Sequence, residues 1–415
     1  STRGQSEPVL FSTAVSAGLA PDGGLYVPGD FPAISPAQIH SRELAGVASE
    51  VLAPFFEGDA LASQLAEICS GSLSFPVPLV DADRFHILEL FHGPTAAFKD
   101  VGARFLAECM VRIDQAPRTV LVATSGDTGG AVAAAFHQKP GIEVAILYPQ
   151  GGVSPEQEQQ LTCWGDNVTA FAVKGVFDDC QKLLKTALVS GLGDRQLTTA
   201  NSINIARLLP QMTYYAYASL CHGGNPTCVV PTGNVGNATA ALWAKQLGFP
   251  IQHVVMVTNA NRTVPDYMSS GDWKPRPSTA TLANAMDVGD PSNMERVFSM
   301  YPSVEDLRRD VSSISIDDPT IQHAIRTGQE RYGRMFDPHT ATAVYAVDEL
   351  GIEDPIVVST AHPAKFGSVV GPLVEGAIEI PESLVRIRER ASHFVEIAPD
   401  IEALRRALLH ELAAA

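Results

Sequence analysis

The sequence predicts an α/β protein built around a mostly parallel sheet, and three observations carry that prediction. Short β-rich runs alternate with amphipathic helical stretches from about residue 85 to 370. Two of those runs lead into glycine-rich turns followed by helices, at Ser125-Gly-Asp-Thr-Gly129 and Gly233-Asn-Val-Gly-Asn237. Hydrophobic residues make up 45% of the 415 and charged residues 18%, enough to fill a sizeable core and too little charge for disorder.

The elements follow in order. Residues 1–35 are turn-rich, and a helical pattern begins after Ser35-Pro36, with Ala45, Val47 and Val51-Leu52 following at helical spacing, until Phe75-Pro-Val-Pro-Leu79 breaks it. A small N-terminal unit is therefore expected over 1–80. Strands are expected at 85–90, 119–123, 143–148, 168–173, 227–231, 253–258 and 355–359. Helices are expected at 101–113, 129–138, 155–163, 177–190, 203–220, 237–247 and 319–332. Pro338-His339-Thr340 reads as a helix entry ahead of an Ala/Val-rich run. From 371 to 415 the apolar content thins into short charged helices, read as a peripheral tail packed on the core.

Net charge is −17, which argues against nucleic acid or an anionic membrane as partner. Any bound phosphate must sit in a local pocket of N–H donors and one or two cations. The six cysteines form no C-x-x-C pair and no Cys/His metal spacing, so no metal is expected and the thiols read as reduced and mostly buried. No apolar run approaches the length of a membrane helix, and the first residues lack the features of a signal peptide. A cytoplasmic protein is the expectation.

In parallel sheets the loops leaving the carboxyl ends of strands form the ligand crevice. The loop Thr124-Ser125-Gly126-Asp127-Thr128 offers backbone N–H groups at a helix start, although the same residues are ordinary turn and cap formers. Gly233-Asn234-Val235-Gly236-Asn237 is neither a P-loop nor a dinucleotide fingerprint, and without a lysine it suits one monophosphate. Asn201-Ser202-Ile-Asn204 with Arg207 could clamp a second anion or simply cap a helix. Thr360 ends the last expected strand and should face the same crevice; His362, before a proline, reads as a packed loop residue, and His339 as a secondary site candidate.

Lys99 stands apart. It follows the turn at Gly93-Pro94 and Phe98, and precedes an apolar helical run. Desolvation beside an aromatic ring lowers a lysine's pKa and frees the amine as a nucleophile. The plainer alternative is a surface lysine paired with Asp100.

Together these pieces resemble the threonine synthase family, in its longer bacterial and fungal form. The resemblance rests on Ser1-Thr-Arg-Gly4, Gly18-Leu-Ala-Pro-Asp-Gly-Gly-Leu-Tyr-Val27, Phe91-His-Gly-Pro-Thr-Ala-Ala-Phe-Lys-Asp100, Ser125-Gly-Asp-Thr-Gly129, Asn201-Ser-Ile-Asn204, Asn284-Ala-Met-Asp-Val288 and Thr360-Ala-His-Pro-Ala-Lys-Phe366. It implies a fold type II pyridoxal-phosphate enzyme, like tryptophan synthase β, with two α/β lobes and mostly parallel sheets. The core would span 81–370, a smaller lobe about 101–210 and a larger one 85–100 with 211–370. By resemblance, Lys99 would hold pyridoxal 5'-phosphate covalently, Gly233 to Asn237 would bind its phosphate, Thr360 its ring nitrogen, and Asp127 would stand near its ring hydroxyl. Thr124, Ser125 and Gly126 would take the substrate carboxylate, and Thr128, Asn201, Ser202, Arg207 and Asn237 the substrate phosphate. Relatives often carry Gly-Asn-Phe-Gly-Asp where this chain has Val235 and Asn237.

The reaction implied is O-phospho-L-homoserine plus water giving L-threonine and phosphate, the last step of threonine biosynthesis. Two alternatives stay open from sequence. One is a related phospho-lyase releasing a 2-oxo acid, ammonia and phosphate; the other is a non-catalytic phosphate-ligand protein. The oligomeric state is open between monomer and homodimer.

Overall fold

The structure is a computed structural model describing residues 1–113, 117–192 and 196–414. Its strands are β1 (Leu79–Asp81), β2 (His86–Glu89), β3 (Arg118–Ala123), β4 (Ile142–Pro149), β5 (Val168–Val173), β6 (Gln196–Thr199), β7 (Thr227–Pro231), β8 (His253–Thr258), β9 (Val311–Ser315), β10 (Ile356–Ser359) and β11 (Val395–Ile397). Among the described residues they form two sheets, of order β1-β2-β10-β7-β8-β9 and β11-β5-β4-β3-β6. Every pairing is parallel except β1 with β2. Helices cover both sheets, as parallel sheets require.

All seven expected strands are present, and each of the four that the sequence pattern did not reveal (β1, β6, β9, β11) lies at a sheet edge. Central strands such as β3 are buried along their whole length and read as unbroken apolar runs. Edge strands are half-solvated and short: β6 is Gln-Leu-Thr-Thr, β9 is Val-Ser-Ser-Ile-Ser, and neither carries such a run. β11 comes from the segment after 371, so that tail is more than helical. It extends the smaller sheet, and Leu404 and Leu408 of the final helix (Ile401–Ala414) pack with Leu183 and Leu184 beneath it.

The helix expected over 203–220 is divided into Ile205–Leu208 and Gln211–His222. Pro210 has no N–H to donate and cannot continue the first turn. In the N-terminal unit, Phe11 and Phe56 stack at 4.4 Å and meet Phe105 of the Lys99–Ile113 helix. The unit also reaches the loop after β6, where Asn204 Nδ2 donates to the Val15 carbonyl at 3.0 Å. No described helix is long and apolar enough to cross a membrane.

Candidate active site

The carboxyl ends of the strands in both sheets open onto one cleft. Lys99, Asp127, Thr128, Ser202, Arg207, Gly233, Asn234, Val235, Gly236, Asn237 and Thr360 line it, together with Phe98, Thr232, Met286 and His339.

Lys99 is the first residue of its helix, and the turn before it is tightly held. Ala96 takes a left-handed φ of 53°, and the Asp100 carboxylate accepts from Thr95 N and Thr95 Oγ1, both at 2.8 Å. Asp100 therefore pins the turn rather than pairing with Lys99. Phe98 N donates to the Thr360 carbonyl at 2.9 Å and His362 N to the Ala96 carbonyl at 3.0 Å, which zips the turn onto the loop leaving β10. Lys99 Nζ donates to Thr128 Oγ1 at 3.0 Å and lies 5.0 Å from the Phe98 ring. Burial pushes its pKa down to about 8; Arg207 and Lys365 push the same way and Asp127 opposes them. At neutral pH about a tenth of such an amine is unprotonated, far more than at a lysine's ordinary pKa of 10.5, and the unprotonated form is the nucleophile.

Val235 holds a left-handed φ of 61° at the N-cap of the helix Gly236–Gln246, an uncommon conformation for a β-branched residue. A Cβ on Gly233 would come within 2.7 Å of the Met286 backbone, so only glycine fits this approach. Tyr214 and Tyr215 both donate their hydroxyls to Asn237 Oδ1, the latter at 2.8 Å. That fixes the amide with Nδ2 as an unpartnered donor.

Arg207 is 2% exposed, and among the described residues no carboxylate bonds it. One of its Nη atoms donates to the Ala200 carbonyl while Nε has no partner. Burial holds its pKa down to about 10, the charge of Asp100 opposing. Asn237 Nδ2 and Thr232 Oγ1 are orphaned in the same cleft. Buried polar groups are nearly always satisfied, so unpaired donors around a guanidinium are the mark of a site built for an anionic ligand.

Ser202 Oγ accepts from Asn234 Nδ2 at 2.7 Å and Asn293 Nδ2 at 3.1 Å, leaving its hydroxyl proton to donate. Thr124, Ser125, Gly126 and Asn201 do not line the cleft. Thr124 Oγ1 accepts from Gly126 N and Gly129 N, shaping the loop from within. Asn201 spends its amide on Ala123 N, Ala123 O and Thr199 Oγ1, tying the end of β3 to that of β6. One N–H of its Nδ2 is left over from these bonds. Ser125 is half-buried.

Three residues that sequence reasoning passed over are central here. Lys365, 1% exposed, is 3.2 Å from Asp127 Oδ1. Arg296, wholly buried, donates to the carbonyls of Tyr26, Ser202 and Ile203 and clips the N-terminal unit to the Ser202 loop. Gln157 Nε2 reaches Asp127 at 3.3 Å while its Oε1 accepts from Asn284 Nδ2, so one amide bridges the two lobes. A lysine and an arginine in apolar surroundings were the available signals. His339 accepts Ala285 N–H on Nε2 at 3.1 Å, and Nδ1 faces Asp337 at 2.7 Å, an arrangement that fits the neutral ring with its proton on Nδ1.

A buried lysine of lowered pKa at a helix start, a glycine-rich turn at a helix N-terminus, and a hydroxyl rather than a carboxylate just after β10 fit a fold type II pyridoxal-phosphate enzyme. Comparison with known proteins agrees. Residues 74–360 match the family model for pyridoxal-phosphate dependent enzymes, 1–73 that for the threonine synthase N terminus, and 340–408 that for the threonine synthase C-terminal region. The chain is 38% identical to threonine synthase of Escherichia coli over 98% of its length and 97% of the relative's. It is 31% identical to that of Saccharomyces cerevisiae over 100% and 98%. A pyridoxal-phosphate-bound threonine synthase structure from Brucella melitensis superposes with a TM-score of 0.92 at 32% identity, covering 99% of this chain and 98% of that one. The chain belongs to the threonine synthase family. Its cofactor is pyridoxal 5'-phosphate.

Proposed function

We propose that the enzyme converts O-phospho-L-homoserine and water to L-threonine and phosphate, with Lys99 as the residue that holds the cofactor and moves the protons. The observation that carries the substrate reading is Arg207: a buried guanidinium without a carboxylate, beside the unpartnered Nδ2 of Asn237. Two phosphates must be accommodated, the cofactor's and the substrate's. Gly233 to Asn237, at a helix N-terminus, would hold the first; Arg207, Ser202, Thr128 and the Asn237 amide would hold the second.

Bound cofactor supplies an electron sink that acidifies the substrate's Cα and Cβ protons in turn. The chain's own residues do the rest. Lys99, once the substrate amine displaces it, is the base whose low pKa lets it take a proton at Cα, release it, and act again at Cβ. Arg207 neutralises charge on the departing γ-phosphate. Thr360, a neutral partner for the ring nitrogen, would leave that nitrogen uncharged and moderate electron withdrawal, which suits elimination and replacement. Asp127 would face the ring hydroxyl. Of the loop Thr124 to Gly126, expected at the substrate carboxylate, Thr124 N donates to the Leu147 carbonyl and Gly126 N to Thr124 Oγ1, which leaves that contact to Ser125.

In this reading the chain has three parts: an N-terminal unit to about residue 80, the two-lobed core, and a C-terminal segment that completes the smaller lobe. The test is purified protein with O-phospho-L-homoserine, assayed in parallel for phosphate, threonine and 2-oxo acid. Equal phosphate and threonine are expected; phosphate with 2-oxo acid instead would make it a phospho-lyase.

A further inference from the structure

We propose that Lys365 is a positioning residue of this active site, tying the turn that carries Lys99 to the smaller lobe and neutralising the Asp127 carboxylate that faces the Lys99 amine. The inference deepens the reading above and rests on Lys99 being the cofactor-bearing residue.

An ammonium has three N–H donors and nothing to accept with. Lys365 Nζ meets three acceptors from three elements. The Thr95 carbonyl in the Lys99 turn lies at 2.7 Å, Gln160 Oε1 in the helix Pro155–Thr162 at 2.6 Å, and Asp127 Oδ1 at the start of the helix Asp127–Phe136 at 3.2 Å. Two of the three belong to the smaller lobe and one to the larger, so a single buried side chain ties the two together. Burying a lysine this deeply is costly unless every donor is used, and here each has a partner.

The position has an electrostatic consequence for Lys99. Asp127 is buried and would rise toward protonation, but Lys365 foremost, and Lys99 after it, holds its carboxyl below the usual range. An ionised Asp127 draws a proton onto the Lys99 amine, whereas Arg207 and Lys365 repel one. Asp100, the other buried carboxyl nearby, is engaged by Thr95 and acts on Arg207. Asp337 is engaged with His339 and Thr340. Lys365 therefore does two things at once. It satisfies Asp127, so that this carboxylate does not use Lys99 as its counter-ion, and it adds its own repulsion. The free amine at Lys99 is kept available by a second lysine that never enters the cleft.

The experiment measures how fast the full-length protein, freed of cofactor, captures pyridoxal phosphate at Lys99 as pH is varied. Absorbance follows the uptake, and hydride trapping with peptide mapping confirms the site. In Lys365→Met the midpoint of the rate profile should move up by about one pH unit, a roughly tenfold slower capture below it, as expected when a lysine gains an unscreened carboxylate. Asp127→Asn should move the midpoint the other way. A Lys365→Met profile that superimposes on the wild type, or shifts of the same sign in both variants, would overturn the proposal. If Lys365→Met does not fold, Lys365→Arg and Asp127→Asn decide: the first should keep the wild-type midpoint and the second should lower it, and an unmoved Asp127→Asn midpoint overturns the idea. Capture precedes any substrate, so failure to turn over O-phosphohomoserine would leave this result standing. A label at another lysine would remove both.

Discussion

Arg207→Met separates an anion site from a structural arginine, because the two predict opposite signs. The guanidinium is 2% exposed, bonds the Ala200 carbonyl, leaves Nε unpartnered, and meets no carboxylate among the described residues. Methionine keeps most of the aliphatic volume and removes the charge. Without ligand the variant should be more stable than wild type, since replacing a buried, poorly paired charge by an apolar isostere contributes about 1–4 kcal/mol. With substrate the sign reverses. Losing a charge-assisted contact to phosphate costs about 1.5–3 kcal/mol, which raises KM roughly ten- to hundred-fold. Thermal unfolding and steady-state phosphate release on the same preparations read both effects. Inorganic phosphate adds a third arm, because a ligand that binds only the folded state raises Tm with its concentration. Wild type should show that rise and the variant should not. A variant that is less stable, with KM unchanged and the phosphate response intact, would refute the assignment.

Lys99→Ala should abolish turnover, and cofactor-supplemented protein should lack the visible absorbance of a lysine-bound pyridoxal. Gly233→Ala forces a Cβ onto the Met286 backbone at 2.7 Å, so cofactor affinity should fall at least tenfold by equilibrium titration, a loss of about 1.4 kcal/mol or more. Arg296→Met strands the carbonyls of Tyr26, Ser202 and Ile203; unfolding by denaturant should show a loss of about 3 kcal/mol or more, and proteolysis should begin in the N-terminal unit. Lys99 also links stability to pH. Its folded pKa of about 8 lies below its usual 10.5, so between those values the unfolded chain binds the extra proton and cofactor-free stability should rise with pH. Lys99→Met should flatten that slope.

The central strands were legible because burial on both faces writes a continuous apolar run into the sequence. β1, β6, β9 and β11 were not, because an edge strand needs only one buried face and a few residues. The cleft was legible through its loops: Lys99, Asp127, Gly233 to Asn237 and Thr360 all sit just beyond strand ends or at helix starts, where glycine and hydroxyl residues cluster. What sequence could not rank was which polar side chains keep a donor free. Asn201 and Asn237 look alike in one dimension. In three, Asn201 ties β3 to β6 with its oxygen and one N–H, while two tyrosines from the preceding helix fix Asn237 with its amide nitrogen wholly unspent. Lys365 was hidden for a related reason, since its partners are 270, 205 and more than 200 residues away in the chain.

The balance of charge in the cleft runs against that of the whole protein. The chain carries −17 overall, yet Lys99 and Arg207 line one cleft, with Lys365 buried behind it, where Asp127 is the lining carboxylate. Burying these cations is costly, and burial is what chiefly holds the pKa values of Lys99 and Arg207 down. That cost is offset when phosphate groups enter, and against an acidic exterior the cleft is a place where a doubly charged ligand gains by approaching. Raising ionic strength should therefore weaken capture of pyridoxal phosphate only modestly, because the cations that hold it are buried and poorly screened, while the repelling surface charges are screened first.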